Sequence, residues 1–344
     1  MSKSTRLSII KRIQQKRNSF MISYITSTRP QLEVMMSMDA IRKIYEHLYL
    51  KSASDSDERR IDLFIHSNGG EATVPWRLVT LIREYSDHFG VIVPYKAFSA
   101  ATLTAMGADE IVMHPMGMLG PTDPTVTNRF NPKDSASGEL LGISVEDVTA
   151  FIALIKEDAG IRHEDELVTA FNKLDEQVHP LALGNVKRFV SQSRMMARKL
   201  LSLHMDKAKD DHKIKEIVEN LTSKLYYHGH PINRVEASIE VGLPNVVVPK
   251  RDLEKLIWNL YLEYEREIKM EESFAPGSEF LTIFPTLAVN DSAVSPLQTA
   301  KLAFIESLVR TDVFLWEYLL SGTKMANGGV QVSTIVNKQG WLTE

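Results

Sequence analysis

Apolar residues recur along the first third of the chain in two alternating patterns. Uninterrupted apolar runs, rich in Ile and Val, predict buried strands at residues 61–67, 91–93 and 110–113. Apolar side chains at three- and four-residue spacing predict helices at residues 32–50 and 72–86, and a run of small residues predicts a tightly packed helix at 100–108. Strands that alternate with helices indicate an α/β fold with mainly parallel strand pairing.

The rest of the chain carries mostly helical patterns. Residues 125–145 are rich in Asn, Ser, Gly and Pro and are expected to form a surface loop. Helical spacing then recurs at residues 145–158, 164–173, 184–205, 212–225 and 234–241. A strongly amphipathic segment at 251–270 suits either an interface between subunits or burial within one subunit. Residues 330–336 return to a β pattern.

Composition narrows the classes of protein that fit. The 344 residues carry 40 Lys and Arg against 44 Asp and Glu, a net charge of −4, and no Cys. The lack of Cys excludes disulfides, thiolate metal sites and cysteine nucleophiles. The slightly acidic balance argues against nucleic acid as a partner, because nucleic-acid binders carry a large basic excess. The sequence holds no HExxH pair and no phosphate-binding glycine loop, so neither a metal nor a cofactor is expected.

The N-terminal segment, residues 1–20, is basic and carries a short apolar stripe. It lacks the apolar centre of a secretory signal, and no apolar run in the chain reaches the roughly 18 to 20 residues that cross a membrane. We therefore expect a cytoplasmic protein with this segment packed on its body. The alternative is peripheral membrane association, in which the stripe rests on an anionic lipid surface.

Two loops carry the candidate chemistry. The first apolar run ends in Asn68, Gly69 and Gly70, whose backbone amides suit an oxyanion site, although such residues also form ordinary turns. Ser99 lies between an apolar strand and a small-residue helix, where the Ala100 amide can join a glycine amide around a developing oxyanion. The competing interpretation of Ser99 is a simple helix N-cap.

Four stretches in and around these loops share their pattern with a known superfamily, at residues 67–70, 97–100, 108–111 and 119–124. Together they resemble the core of the ClpP/crotonase superfamily. The similarity is closest to its signal-peptide-peptidase-A branch and to the serine dehydrogenase proteinase (SDH) family. It covers residues 61–124 well and continues in patches to residue 243. The fold that it implies is a ClpP/crotonase-like β-β-α superhelix core with added helices.

The resemblance implies a serine peptidase with Ser99 as its nucleophile. The amides of Gly69, Gly70 and Ala100 would then form the oxyanion hole. A serine hydroxyl is a weak nucleophile at neutral pH, so it needs a base within hydrogen-bond reach. The same resemblance implies a peptide or unfolded protein as substrate and a homo-oligomer that restricts access to the serine.

The identity of the general base stays open between two routes and a less favoured third. Lys199 follows the serine in roughly the place of the lysine base of signal peptide peptidases A, and its apolar neighbours favour a neutral amine. It is equally typical of a surface lysine on an amphipathic helix. The SDH family implies instead that Asp123 orients His179, although Asp123 also suits a turn and His179 a helix start. The third route uses His228 or His230.

These observations predict three parts of the chain. They are a basic N-terminal segment at 1–20, a ClpP/crotonase-like serine peptidase domain at 21–243, and a C-terminal extension at 244–344 made of a helix and a β-rich tail. The expected function is endopeptidase activity through an acyl-enzyme on Ser99. The alternatives are a catalytically silent scaffold with the same fold and a crotonase-like acyl-CoA enzyme, which the lack of paired glutamates near the second loop disfavours.

Overall fold

The computed structural model describes residues 3–53, 59–122, 125–126, 129–134, 137–224 and 230–344. Its strands are β1 (Phe20–Thr26), β2 (Arg60–His66), β3 (His88–Val93), β4 (Lys96–Ala97), β5 (Glu110–Met113), β6 (Met118–Leu119), β7 (Thr125–Val126), β8 (Ile143–Ser144), β9 (Ile232–Asn233), β10 (Val246–Val247), β11 (Ser292–Val294), β12 (Gln298–Glu306), β13 (Thr311–Lys324) and β14 (Val330–Thr343). Its helices are α1 (Lys3–Arg17), α2 (Met38–Ser52), α3 (Val74–Glu84), α4 (Ala100–Met106), α5 (Val145–Ala153), α6 (Glu164–Asp175), α7 (Pro180–Leu201), α8 (Asp211–Glu219), α9 (Arg234–Ile239), α10 (Arg251–Ile268) and α11 (Pro276–Ile283). Two π-helical turns, Leu154–Asp158 and Asn220–Lys224, continue α5 and α8.

Nine of these strands form one sheet. Eight follow the order β10-β5-β3-β2-β1-β12-β13-β11, and β14 pairs with β13. The pairs from β10 to β1 are parallel, whereas β12 joins β1 antiparallel and all pairs beyond it are antiparallel. The parallel strands are nearly continuous apolar runs because both their faces are covered. This arrangement confirms the predicted α/β fold with a mainly parallel core.

Helices cover both faces of the parallel part of the sheet. One face packs against α2, α3, α4 and α7 in a core that includes Leu63 and Val91. The other face packs against α1 and α10 in a core that includes Phe64 and Ile92. Consecutive residues enter different cores because side chains alternate across a strand. The two candidate loops lie on the first side.

The structure differs from the predicted elements in two places. The helix predicted at 32–50 begins only at Met38, because the chain before it is extended and the Met36 amide donates to the Gly69 carbonyl at 2.8 Å. The apolar pattern also misses β1, β12 and β13, which are long strands of the main sheet. The stability of these strands comes from partners far away in the sequence, so a local pattern does not reveal them.

The two amphipathic helices α1 and α10 lie on the same face of the sheet. The apolar stripe of α1 is buried at Ile9, Ile10 and Ile13, in one cluster with Leu256 and Ile257 of α10. Packing on the body of the protein, rather than exposure to a lipid surface, is therefore what the structure shows for this stripe. For α10 it shows burial within one subunit. Among the described helices, none combines the length and apolar character needed to cross a membrane.

The chain beyond residue 243 contributes to the same sheet. Strand β12 pairs with β1, where Tyr24 lies opposite Ile305. Strands β13, β14 and β11 then extend the sheet outward. The predicted division at residues 20 and 243 stays a prediction, and the sheet runs across it.

A buried ion pair ties the first helix to the antiparallel half of the sheet. Arg6 Nε lies 2.8 Å from Glu306 Oε2, and both side chains are buried. The hydroxyls of Tyr264 and Thr311 donate to the same carboxylate at 2.7 and 3.1 Å. These contacts compensate the desolvation of the two charges, so the loss of one partner is costly.

Glu306→Ala should lower the free energy of unfolding by about 3 to 5 kcal/mol, because it leaves the buried Arg6 guanidinium without its closest anion. Urea denaturation at neutral pH measures this loss. As a control, Tyr264→Phe removes one hydrogen bond and keeps the ion pair, at an expected cost of about 2 kcal/mol. Equal losses in the two variants would contradict the leading contribution of the charge pair.

His66 ends β2 directly before the first candidate loop. Its Nδ1 accepts a hydrogen bond from the Lys96 amide at 3.2 Å, and its ring stacks on Tyr95 with the centroids 5.9 Å apart. Burial, and to a lesser degree the Lys96 ammonium, lower the pKa of His66 to about 3. The imidazole is therefore neutral in the folded protein at neutral pH.

Stability should fall as the pH drops from about 6.5 toward 3, since the unfolded chain protonates His66 in this window and the folded protein does not. One such group contributes a slope of about 1.4 kcal/mol per pH unit. His66→Gln keeps a hydrogen-bond acceptor without a titrating ring, so its stability should decline less steeply by that amount. Urea denaturation between about pH 4 and 7 tests this, and parallel profiles for the two proteins would contradict it.

Candidate active site

Ser99 lies in a sharp turn between β4 and α4. Its backbone has φ 50° and ψ −111°, a conformation that non-glycine residues rarely adopt and that costs on the order of 1 to 3 kcal/mol. Ser99 occupies the N-cap position of α4, but its side chain makes no capping hydrogen bond. The half-buried hydroxyl is thus held in a strained turn without the capping bond that an N-cap serine usually makes.

Backbone pairing brings the two candidate loops together. Ser67, after β2, and Ala97, at the end of β4, form a parallel bridge. The Ser67 amide donates to the Lys96 carbonyl at 2.9 Å, and the Phe98 amide donates to the Ser67 carbonyl at 3.0 Å. The loop that starts at Ser67 therefore runs beside the turn that holds Ser99.

A buried threonine fastens the serine turn to the opposite wall. The Thr102 hydroxyl lies 2.7 Å from the Ala97 carbonyl and 2.9 Å from the Gly120 carbonyl. It also accepts a hydrogen bond from the Gly120 amide at 3.0 Å. The strained backbone of Ser99 is thus supported on both sides by groups that the sequence pattern does not single out.

The glycines of the first loop are needed for its close approach to neighbouring backbone. Gly69 has φ +106°, and a Cβ there would lie 2.8 Å from the Ser99 Cβ. A Cβ on Gly70 would lie 2.1 Å from the Met36 carbonyl oxygen. Both distances are far shorter than van der Waals contact, so only glycine lets the three segments meet.

The backbone amides around Ser99 differ in what they bind. The Gly69 amide donates to the Ser67 hydroxyl at 3.0 Å. Within the described residues, no hydrogen bond uses the amide of Gly70 or of Ala100. Of the three predicted oxyanion donors, Gly69 is therefore engaged within its own loop, while Gly70 and Ala100 keep a donor for a ligand oxygen.

Ser99 and the glycine loop open into one cleft of about 400 Å³. Its lining comprises Glu33, Val34, Met35, Asn68, Gly69, Gly70, Ala72, Ser99, Ala100, Leu103, Thr122, Phe189 and Ser193. Most of the side chains are apolar or small. Among the described lining residues, Glu33 alone has a titratable side chain.

Lys199 lies outside this cleft. It is on the exposed side of α7, with its ammonium 5.3 Å from the centre of the Trp76 ring. Ser193 on the same helix lines the cleft and donates to the Thr122 carbonyl at 2.5 Å. Six residues of α-helix separate the two positions by about 9 Å and turn them about 240° apart. Lys199 and Ser99 are therefore not brought together in this structure.

His179 is also away from Ser99. It is the N-cap of α7, where its Nδ1 accepts a hydrogen bond from the Leu181 amide at 3.1 Å. Its exposed ring stacks on Phe130 with the centroids 4.9 Å apart. This is the helix-start contact that the sequence offered as the alternative to catalysis.

The remaining proton carriers are placed only in part. Asp123 and His228 lie outside the described residues. Asp123 directly follows Thr122, which lines the cleft. His230 lies 2.5 Å from Glu236, with which it forms a local pair.

Sequence reasoning missed one wall of the cleft. Residues 33–36 run along it in extended conformation, with Val34 and Met35 in the lining and Met36 bridged to Gly70. Their apolar spacing is compatible with a helix, which is why they were joined to α2. The signal against a helix is Ser37, a residue type favoured at N-caps, immediately before the helix starts.

Comparison with known proteins adds a family to this geometry. Residues 1–179 match the model of the ClpP-like SDH-type serine proteinase family. An uncharacterized protein of Methanocaldococcus jannaschii is 27% identical over 201 residues, which are 58% of this chain and 57% of that protein. A second uncharacterized protein of the same organism is 26% identical over 247 residues, 69% of this chain and 72% of that protein. The chain thus spans little more than half the length of the first relative.

A solved structure is also similar in part. It is a mutant of the 1510-N membrane-bound stomatin-specific protease, with 18% identity over 44% of this chain and 69% of that chain. The TM-score of 0.26 is too low for conclusions about this protein. The family match has more weight, because it spans over half the chain and includes both loops of the cleft. The chain therefore has a ClpP-like fold and belongs to the ClpP-like SDH-type serine proteinase family.

Proposed function

We propose that this protein is a serine endopeptidase that forms an acyl-enzyme on Ser99. The observation that carries the proposal is the strained Ser99 turn, which shares a cleft with two backbone amides that bind no described group. Membership of a serine proteinase family supports the same reaction class. In this proposal the strain presents the hydroxyl to the substrate, as it does at other strand-to-helix serine turns.

The reaction follows from the positions of the donors. The Ser99 oxygen attacks the scissile carbonyl carbon, and the carbonyl oxygen becomes an anion that accepts from the Gly70 and Ala100 amides. The C–N bond then breaks, the amine leaves with a proton, and an ester remains on Ser99. Water attacks the ester and releases the acid. Gly69 acts indirectly, because its φ of +106° and its bond to Ser67 shape the loop.

Three groups are proposed to move the proton, by two routes. Lys199 would need α7 to shift or rotate, since it is exposed and faces away from the cleft. The pair of Asp123 and His179 would need His179 to leave its capping position. Asp123 has the advantage that it adjoins Thr122 in the cleft wall.

The form of the cleft favours extended, unstructured substrates. Its walls present apolar side chains such as Val34, Met35 and Leu103, and its rim includes the extended backbone before α2. A peptide in extended conformation, from an unfolded protein or a short fragment, fits such a groove. We include a homo-oligomer in the proposal, since restricted access to Ser99 would protect folded proteins.

A catalytically silent scaffold is the second candidate. One observation favours it: among the described residues of the cleft, only Glu33 has a titratable side chain. A serine without a base would keep the fold and its assembly but not the acylation step.

Ser99→Ala should reduce cleavage of unfolded casein and of fluorogenic peptides by about 10³-fold or more, because no nucleophile remains. It should also abolish labelling by a fluorophosphonate probe, which reacts only with an activated serine. Ser191→Ala changes an exposed serine on α7 and serves as the matched control. A wild-type protein that neither cleaves nor labels would overturn the peptidase and favour the scaffold.

The base is assigned by comparing single variants of the two routes, since loss of a general base costs about 10²- to 10⁴-fold in kcat. A loss confined to Lys199→Ala selects the lysine, with Lys187→Ala on the same helix as control. A joint loss in Asp123→Asn and His179→Asn selects the relay. His179→Asn retains an N-cap acceptor, so its effect is separated from fraying of α7. Full activity in all three variants contradicts both routes.

A further inference from the structure

Helix α6 is amphipathic but has no buried residue. Its apolar stripe includes Leu167, Phe171 and Leu174 at helical spacing, with Val168 beside it. Val168 and Phe171 are 58% and 46% exposed, which is unusual for large apolar side chains on one helix face. The helix therefore presents an apolar surface that nothing in the described chain covers fully.

The same helix is strongly acidic. Four carboxylates, Glu164, Asp165, Glu166 and Asp175, stand against a single cation, Lys173. The ammonium of Lys173 is itself 3.0 Å from Glu176. A partner for α6 must therefore offer an apolar contact flanked by positive charge.

Helix α7 offers that surface on its exposed face. It contains no acidic residue, and its five cations are all exposed: Lys187, Arg188, Arg194, Arg198 and Lys199. Met195 lies among them and is 48% exposed. Gly184 on the same face has open space where a Cβ would be, which allows a helix to approach closely. Beside α8, Met195 and Val218 line a groove of about 310 Å³.

We propose that α6 of one copy of this chain docks on the exposed face of α7 in a second copy, which we call the α7 face (residues 181–199). The lengths agree, because 12 residues of α6 extend about 18 Å and the α7 face extends about 27 Å. Phe171 and Val168 would contact Met195 and the groove beside α8. The carboxylates of α6 would lie between the cations of the α7 face.

A second copy fits this surface better than a lipid bilayer does. The acidic α6 would be repelled by anionic lipid headgroups, whereas the α7 face attracts it. Each chain carries both surfaces, and the two are different, so the contact is head-to-tail and propagates from copy to copy. One helix pair buries less than the roughly 1,000 Å² of a tight interface, so assembly should depend on concentration and weaken with salt.

The inference rests on the homo-oligomer of the proposed function and not on the chemistry of Ser99. The test is therefore made on full-length Ser99→Ala protein, so that the mass of the particle is measured without proteolysis. Failure of the peptidase leaves this measurement unchanged.

Sedimentation equilibrium over a concentration series should show an oligomer for the parent protein, with its apparent mass falling toward that of the monomer in about 1 M NaCl. The α6 variant, Asp165→Lys with Glu166→Lys, should be monomeric. The α7 variant, Lys187→Glu with Arg188→Glu, should be monomeric as well. An equimolar mixture of the two variants should assemble again, because reversed α6 then meets reversed α7.

Matched changes elsewhere control for net charge and apolar loss. Glu271→Lys and Lys338→Glu reverse exposed charges outside the two surfaces and should leave the mass unchanged. Phe171→Ser should weaken assembly at least tenfold, whereas Ile239→Ser at another exposed apolar position should not. A parent protein that stays monomeric at every concentration would overturn the proposal. So would variants that retain the parent mass, or a mixture that fails to assemble while circular dichroism shows both variants folded.

Discussion

The candidate site depends on one steric constraint, the close backbone approach of three segments at the carboxyl ends of the parallel strands. Gly69 lies against the Ser99 turn, and Gly70 lies against the extended chain at Met36. A side chain at either glycine would overlap backbone or Cβ atoms at 2.8 Å or less. Because these segments touch without side chains between them, two backbone amides and one serine hydroxyl share a single cleft.

The rest of the fold holds that edge of the sheet in place. At the opposite ends of the strands, Arg17 binds Asp62 of β2 at 2.8 Å and Glu110 of β5 at 3.1 Å. Arg6 fixes the same N-terminal helix to Glu306 on β12. Charged contacts at one end of the parallel strands and a nearly side-chain-free junction at the other are a division that suits a rigid scaffold with a site at its edge.

Helix α7 has two functions that use different faces. Its inner face supports the cleft through Phe189 and Ser193, and its outer face carries the cations. Both predicted bases, His179 and Lys199, lie at its ends rather than on the inner face. Proton transfer and assembly are therefore linked to the same helix in our proposals. Docking of α6 on the α7 face would act directly on the element that carries two of the candidate proton carriers.

The sequence by itself determined the α/β class, the glycine loop, the serine turn and the family resemblance, because these depend on local patterns of apolar spacing, Gly and Ser. Only the tertiary structure revealed that residues 33–36 form a wall of the cleft, that Ser99 is strained, and that Gly69 is bound within its own loop. It also separated Lys199 and His179 from Ser99. The physical reason is that a local pattern fixes which face of a helix is apolar, whereas distances between distant side chains depend on how helices and strands pack.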